Sequence, residues 1–403
     1  MERRTFLKIL SSAGIVSLVS PTFAMEVCKN KVSKSSSALL ESAFRNPPFS
    51  SGVYTWWHWM NGNITKDGIT RDLEAMKANG IAGYQLFEAG SGIPIGPVES
   101  LSDEWVDLIL HTLKESERLG LEFAMHNCPG WSSSGGPWIT PDKAMQIITW
   151  SETKITVGKQ VRIQLPTPKH MFDYYIDTYC LAIPANMKVI PRLSILELSN
   201  RLDKDGVLTW DVPTGEWLIM RFGQTAKDQK NKSAPSKSTG LDCDKFSTEA
   251  LDYHLNCMFK RLMPAMEKIA KHSKIGLLID SYETGDQDWT SDMPAYFEQS
   301  HGYELYPFLP VLANKIVESE ESTKRFLFDF RRVRADMFAE RYYGHFQKRC
   351  KEKGIITYTE PYGGNMMEEL QVAQQLDINM GEFWCGQTVL WANYKYNRTV
   401  KQV

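Results

Sequence analysis

The sequence predicts an α/β protein, a (β/α)8-type (TIM) barrel, on three observations. Short apolar runs recur along the chain and end abruptly in polar or aromatic residues. Helical patterns alternate with those runs, and the links between them are short. Parallel strands buried on both faces read as apolar runs, and in a barrel their last residues meet at one mouth.

Six runs fit this description. They lie near Tyr54 (Val53-Tyr54-Thr55-Trp56-Trp57-His58-Trp59), Tyr84, Phe123, Leu278, Tyr358 and Met380. A closed barrel needs about eight strands. The sequence is therefore expected to carry an incomplete barrel, truncated at the C-terminus. Residues 48–149 give strands one to three and residues 226–403 give strands four to six. The helices between them are legible from apolar spacing. Ile69, Leu73 and Met76 form one face, stopped at Gly80. Trp105, Leu108, Thr112 and Leu113 form a second, stopped at Gly120. Leu251, Leu255, Met258 and Leu262 mark a helix that Pro264 should kink. Phe330, Val333 and Met337 mark a long helix expected from about Ser322 to Lys353.

Residues 150–225 break the rhythm. Five β-rich stretches (154–157, 160–165, 174–184, 207–212 and 217–222) are punctuated by Pro166, Pro168, Pro184, Pro191 and Pro213. This predicts an inserted all-β module resembling a small sandwich. The polar stretch Lys227–Gly240 reads as a solvated loop.

Residues 1–24 read as an export signal of twin-arginine type: Arg3-Arg4-Thr5-Phe6-Leu7-Lys8, then an apolar stretch from Ile9 to Val19, then Thr22-Phe23-Ala24. The apolar stretch is too short for a retained membrane span. Residues 25–47 follow as a linker. The expected product is exported, periplasmic or extracellular, without an integral membrane segment. Net charge is −2 for the whole chain, so no nucleic-acid partner is indicated. The seven cysteines are scattered without a C-x-x-C pair, which leaves zinc and redox motifs unsupported.

Carboxylates and aromatics at several strand ends point to cleavage of sugars. Glycoside hydrolysis needs an acid for the leaving oxygen and a second carboxylate across the sugar. Glu283 is the candidate acid, flanked by Asp280, Tyr282 and Trp289. Glu360 and Glu382 are second candidates, as partner base or as sugar ligands. His58, His126 and Asn127 end the first and third runs, and together with Trp57, Trp131, Asp280, Tyr282, Trp289, Tyr362 and Trp384 they are the candidate sugar-binding residues, the aromatic ones as platforms for sugar rings.

These residues carry a family resemblance. Trp56-Trp57-His58-Trp59-Met60-Asn61-Gly62, the long motif from Met125 to Trp138, Asp280-Ser281-Tyr282-Glu283, Glu360-Pro361-Tyr362-Gly363-Gly364 and Gly381-Glu382-Phe383-Trp384 resemble glycoside hydrolase family 106, the α-L-rhamnosidases. The resemblance covers roughly residues 48–403. It implies inverting, calcium-assisted removal of terminal α-L-rhamnose from polysaccharides or glycosides. Glu283 matches the family's acid, the partner base is expected beyond Val403, and no calcium ligand is assigned to a residue. The expected partner is a rhamnose-containing carbohydrate. The chain could be an inactive fragment of such an enzyme. A non-catalytic carbohydrate-binding protein and a metal-dependent TIM-barrel aldolase or isomerase are the alternatives. No Lys at a strand end supports a Schiff-base aldolase.

Overall fold

The computed structural model describes residues 34–131, 134–156, 158–364 and 366–382. The expected export signal, the first part of the linker and Trp384 lie outside them. Two compact units are distinguished, Met1–Val53 and Tyr54–Val403. The described part of the first holds helix α1 (Lys34–Arg45) and one 3-10 turn (Phe49–Ser51).

The second unit opens with strand β1 (Val53–Met60), helix α2 (Lys66–Ala78), β2 (Ile81–Ala89), α3 (Asp103–Leu119) and β3 (Glu122–His126). Local chemistry sets these boundaries. The Thr65 hydroxyl accepts the Gly68 N–H at the start of α2, and Ser102 accepts the Trp105 N–H at the start of α3. Helix α3 stops at Gly120, in the left-handed region at φ 65°, where a side chain would be strained.

The described residues of 146–226 then carry strands and 3-10 turns only: besides a two-residue strand at Val189–Ile190, these are β4 (Gln146–Ile155), β5 (Gln160–Gln164), β6 (Ile176–Pro184), β7 (Leu196–Glu197), β8 (Val207–Asp211) and β9 (Trp217–Ala226). They form an antiparallel sheet ordered β4-β9-β6-β7 and a two-stranded ribbon β8-β5. The strands expected here are present, although β4 starts earlier, at Gln146. Side chains alternate across the larger sheet with the period of two that a strand imposes. Cys180, Ala182 and Ile219 face a small local core with Leu208 and Trp210. Leu181, Ile183, Leu218 and Met220 face the main core instead.

The chain returns through α4 (Thr248–Phe259), α5 (Met263–Ala270), β10 (Ile275–Ile279), α6 (Met293–His301), α7 (Glu320–Met337), α8 (His345–Lys351), β11 (Ile356–Thr359) and β12 (Ile378–Asn379). Two expectations are corrected here. The helix expected to kink at Pro264 is broken outright, and Pro264 sits in the first turn of α5, where its missing N–H costs nothing. The long helix expected from Ser322 to Lys353 is interrupted by a π-helical segment, Phe338–Gly344. Its wider turn brings Phe338, Tyr342 and Tyr343 to the interior together, all fully buried.

The central sheet has six strands in the order β1-β2-β3-β10-β11-β12. Pairs from β2 onward are parallel, with Tyr84 opposite Phe123, Met125 opposite Leu277, Leu278 opposite Tyr358 and Thr359 opposite Asn379. All six runs read from the sequence therefore lie in one sheet. One face, with Trp59, Tyr84, Leu86, Phe123, Met125, Leu277 and Ile279, packs into the main helical core. The other carries a separate cluster of Phe87, Ala124, Leu278 and Tyr358, with Trp131, Ile356 and Met380 against it.

Candidate active site

The second face of the sheet leads to the site. Along β1 the period of two assigns Tyr54, Trp56 and His58 to it. Trp56 donates its indole N–H to Gln85 Oε1 at 2.8 Å, and Gln85 Nε2 in turn approaches Met380 Sδ at 2.9 Å. Tyr54, Thr55, Trp56, Gln85, Glu360 and Glu382 line an open cleft of about 430 Å³. A ladder of rings runs beside it. His58 stacks on Phe87 at 5.4 Å, and Phe87 stacks on His126 at 5.5 Å, both pairs 25° from parallel.

Carboxylates converge at the strand ends. Asp280 follows β10, Glu360 follows β11, and Glu382 lies three residues past β12. Asp280 and Glu360 are buried, and Glu283 and Glu382 are half-buried. Burial holds the Asp280 carboxyl well above the ordinary Asp range, and the charges of Glu360, Glu382 and Glu283 push it further. Its Oδ1 is buried with no hydrogen-bond partner among the described residues. The Tyr362 hydroxyl donates to Glu360 Oε2 at 3.0 Å, and burial followed by Glu360 raises that phenol. The loops carrying these groups are tied together. The Tyr282 N–H donates to the Tyr362 carbonyl at 2.9 Å, and Gly363 leaves a gap that a side chain would fill, 2.2 Å from the Tyr282 carbonyl oxygen.

Several sequence-predicted ligands hold the site's frame from inside it. His126 is buried and neutral: burial pulls its pKa down to about 4. Its Nδ1–H donates to the Cys128 carbonyl at 2.9 Å, and Nε2 accepts the Asp280 N–H at 3.4 Å. Asn127 is fully buried and clamps β3 to β10, since its backbone N–H and its Nδ2 both donate to the Leu278 carbonyl. Tyr282 is buried with its ring against Phe338 at 4.9 Å, and its hydroxyl donates to the Gly285 carbonyl. Trp289 is fully buried in the main core. These four were expected to touch sugar, but burial assigns them to support. Trp57 is a correction of another kind. It lies on the helix-facing side of β1, donates to Asp72 of α2 at 3.1 Å and packs edge-on against Trp59 and Tyr84. The neighbouring Trp56 takes the position expected of Trp57, on the cleft wall. Alternation along β1 carried that signal. Trp131 is half-buried beside the inner cluster, and His58 is exposed.

The stretch Lys227–Gly240, expected to be a solvated loop, is pinned over the ends of β2 and β3. Gly90 N–H donates to the Ser233 carbonyl at 2.6 Å, Trp131 N–H to the Lys232 carbonyl at 3.3 Å, and Asn231 Nδ2 to the Pro129 carbonyl at 3.0 Å. Gly130 permits this closeness: at φ 81° its missing Cβ would stand 2.0 Å from the Lys232 carbonyl oxygen.

Glu88, at the end of β2, is buried with the Ser100 hydroxyl donating to it at 2.8 Å. Burial raises its pKa to about 7, well above the ordinary glutamate range. A carboxyl with a raised folded pKa favours folding while protonated, and that contribution is lost as pH rises from about 4.5 through about 7. Glu88→Gln is therefore expected to be near neutral for stability at pH 5 and stabilising by about 2–3 kcal/mol at pH 8. Urea unfolding at the two pH values checks this, and an equal effect at both would contradict it.

Parallel strands that bring several carboxylates and an aromatic cleft to one sheet edge define a glycosidase-type site. Comparison with known proteins agrees. A family model described as alpha-L-rhamnosidase matches residues 45–176 and 169–402. The chain belongs to glycoside hydrolase family 106. It is 41% identical over 378 residues to a protein of Formosa agariphila named "Putative beta-glucuronidase". That match covers 86% of this chain and 32% of the relative, so the chain spans about a third of the relative's length. The fold resembles that of a rhamnosidase from Novosphingobium sp. PP1Y, with a TM-score of 0.78 at 24% identity, over 86% of this chain and 50% of the other.

Proposed function

We propose that the protein removes terminal α-L-rhamnose from polysaccharides or glycosides by inverting acid/base hydrolysis. Glu283 is the acid in this reading, and Glu360 or Glu382 is the partner within this chain. One observation carries it: Glu283, Glu360 and Glu382 all sit close enough to Asp280 to act on it electrostatically, beside a cleft with Trp56 on its wall. Burial, and then the charges of Glu360, Glu382 and Glu283, favour a proton on Asp280, so the cluster can hold a proton beside carboxylates that accept one. Trp56 offers a ring for the apolar face of a sugar, and Gln85 orients it. His126, Asn127 and Tyr282 hold the strand ends in register beneath. The six-stranded sheet belongs, in this proposal, to a (β/α)8-type barrel that carries residues 150–225 as an inserted β-sandwich-like module.

Calcium belongs to the proposal through the family resemblance. Among the described residues no three His, Cys, Asp or Glu side chains are grouped to hold a metal ion. The unpartnered Asp280 Oδ1 and the neighbouring Glu360 are nevertheless hard oxygen donors of the kind calcium takes. They would hold the ion, with water or sugar hydroxyls completing it, and its charge would offset their repulsion. Calcium should raise the melting temperature and a chelator should reverse the rise. Export through the Arg3-Arg4 segment is proposed on the sequence pattern. No helix among the described residues is long and apolar enough to cross a membrane.

The test uses 4-nitrophenyl α-L-rhamnoside and 4-nitrophenyl β-D-glucuronide, with the first-formed anomer followed by proton NMR. The expected result is cleavage of the rhamnoside alone, with β-L-rhamnose appearing first. Cleavage of the glucuronide alone would replace the substrate. Release of α-L-rhamnose first would replace the inverting mechanism.

A further inference from the structure

We infer that the cavity between β4 and α7 is a second carbohydrate site, which binds a neutral sugar unit of the same substrate chain. This rests on the glycosidase reading above. The cavity measures about 430 Å³, within the range of about 300–1,000 Å³ usual for small-molecule sites. It is distinct from the cleft at the strand ends and shares no lining residue with it.

Its walls have two characters. Trp150 of β4 and Phe330 of α7 supply aromatic surface, and Trp150 is only half-buried. Asp286, Asp288, Arg331 and Arg334 supply the polar part. A pyranose has an apolar C–H face and a rim of hydroxyls that both donate and accept. Aromatic rings take the face, carboxylates accept from the rim and guanidinium groups donate to it. The polar groups are held in advance of any ligand. Arg334 Nε donates to the Gln287 carbonyl at 3.0 Å with its guanidinium 6.0 Å from the Phe330 ring centre. Asp288 Oδ1 accepts the Ile148 N–H at 2.9 Å. Pre-set partners reduce the ordering cost of binding. Two acids and two bases also cancel, so neither an anion nor a cation gains net attraction, and a neutral sugar is the matching ligand.

Chain connectivity links this cavity to the acid. Asp286 and Asp288 follow Glu283 by three and five residues. At no more than about 3.6 Å per residue, their Cα atoms lie within about 11 Å and 18 Å of that of Glu283. A few sugar units span such a distance, so the cavity would grip the polysaccharide beyond the bond being cut.

Two variants test it. Leu327, 44% exposed on the cavity wall, is replaced in Leu327→Trp to fill the space. Asp286→Ala removes a carboxylate that makes no side-chain hydrogen bond with the described residues. Binding of a neutral rhamnan tetrasaccharide is measured by titration calorimetry, and turnover of 4-nitrophenyl α-L-rhamnoside is measured alongside. Both variants should bind the tetrasaccharide about tenfold more weakly and turn over the aryl glycoside at the wild-type rate. Undiminished tetrasaccharide binding in both variants, or no binding by the wild type, overturns the inference. So does a galacturonate-bearing oligosaccharide that binds more tightly than the neutral one and is the one displaced by Leu327→Trp. A wild type without aryl-rhamnoside turnover counts against the proposed function alone, because the binding measurement still decides the cavity.

Discussion

Glu283→Gln is expected to lower turnover of a rhamnoside with an unactivated sugar leaving group by about 10²–10⁴-fold, the usual contribution of a general acid. The effect should shrink on 4-nitrophenyl α-L-rhamnoside, because nitrophenolate leaves without a proton. Glutamine preserves the shape of the side chain and removes the proton, so the difference between the two substrates isolates acid catalysis. Glu360→Gln should behave otherwise. Glu360 is buried, accepts the Tyr362 hydroxyl and raises the Asp280 carboxyl. Its loss should lower turnover of both substrates and let Asp280 ionise at lower pH, which moves the acid limb of the pH–rate profile. Equal losses on both substrates for Glu283→Gln would transfer the acid role to another carboxylate. An unaltered pH profile in Glu360→Gln would remove Glu360 from the titrating cluster.

The sequence exposed the central sheet well because parallel strands buried on both faces leave an unbroken apolar trace. Helices α2 and α3 were equally plain, since their spacing and their stops at Gly80 and Gly120 agree. What stayed hidden depends on direction and on distant partners. The choice between Trp56 and Trp57 rests on which face of β1 meets the helices, and four consecutive aromatic or imidazole side chains, Trp56 to Trp59, blur the alternation. The burial of His126, Asn127 and Trp289 depends on residues from remote segments: His126 meets Asp280, Asn127 meets Leu278, and Gln146 pairs with Trp289. The order in Lys227–Gly240 comes from backbone donors at Gly90 and Trp131, which composition does not reveal. The π-helical segment replaces one helical period by another, so an apolar count for a 3.6-residue turn passes through it unmarked.

The largest stability effect is expected at Lys245, a residue that sequence reading did not single out. Its ammonium is fully buried and has acceptors for all three protons: Asp242 Oδ1, the Ser134 carbonyl at 3.2 Å and the Cys243 carbonyl at 2.9 Å. It also lies 5.0 Å from the centre of the Tyr342 ring. Burial pushes the Asp242 carboxyl up, and the nearby Lys245 opposes that shift. Removing one partner leaves an uncompensated buried charge, so Lys245→Met should cost about 3–5 kcal/mol. The double change Lys245→Met with Asp242→Leu removes both charges and should recover most of that loss. Function should follow the same network. Ser134 Oγ donates to Asn127 Oδ1 at 2.5 Å and also meets the Tyr342 hydroxyl, while His254 Nε2 donates to the Asn127 side chain at 3.1 Å. Asn127 in turn fixes the end of β10, two residues before Asp280. The double variant should therefore fold yet turn over substrate more slowly, with kcat reduced more than KM is raised, because the carboxylates lose alignment and the cleft keeps its walls. Urea unfolding and steady-state kinetics on the three proteins decide it. A loss below about 1 kcal/mol in Lys245→Met would show that Asp242 is protonated in the folded protein and that the pair carries no buried charge.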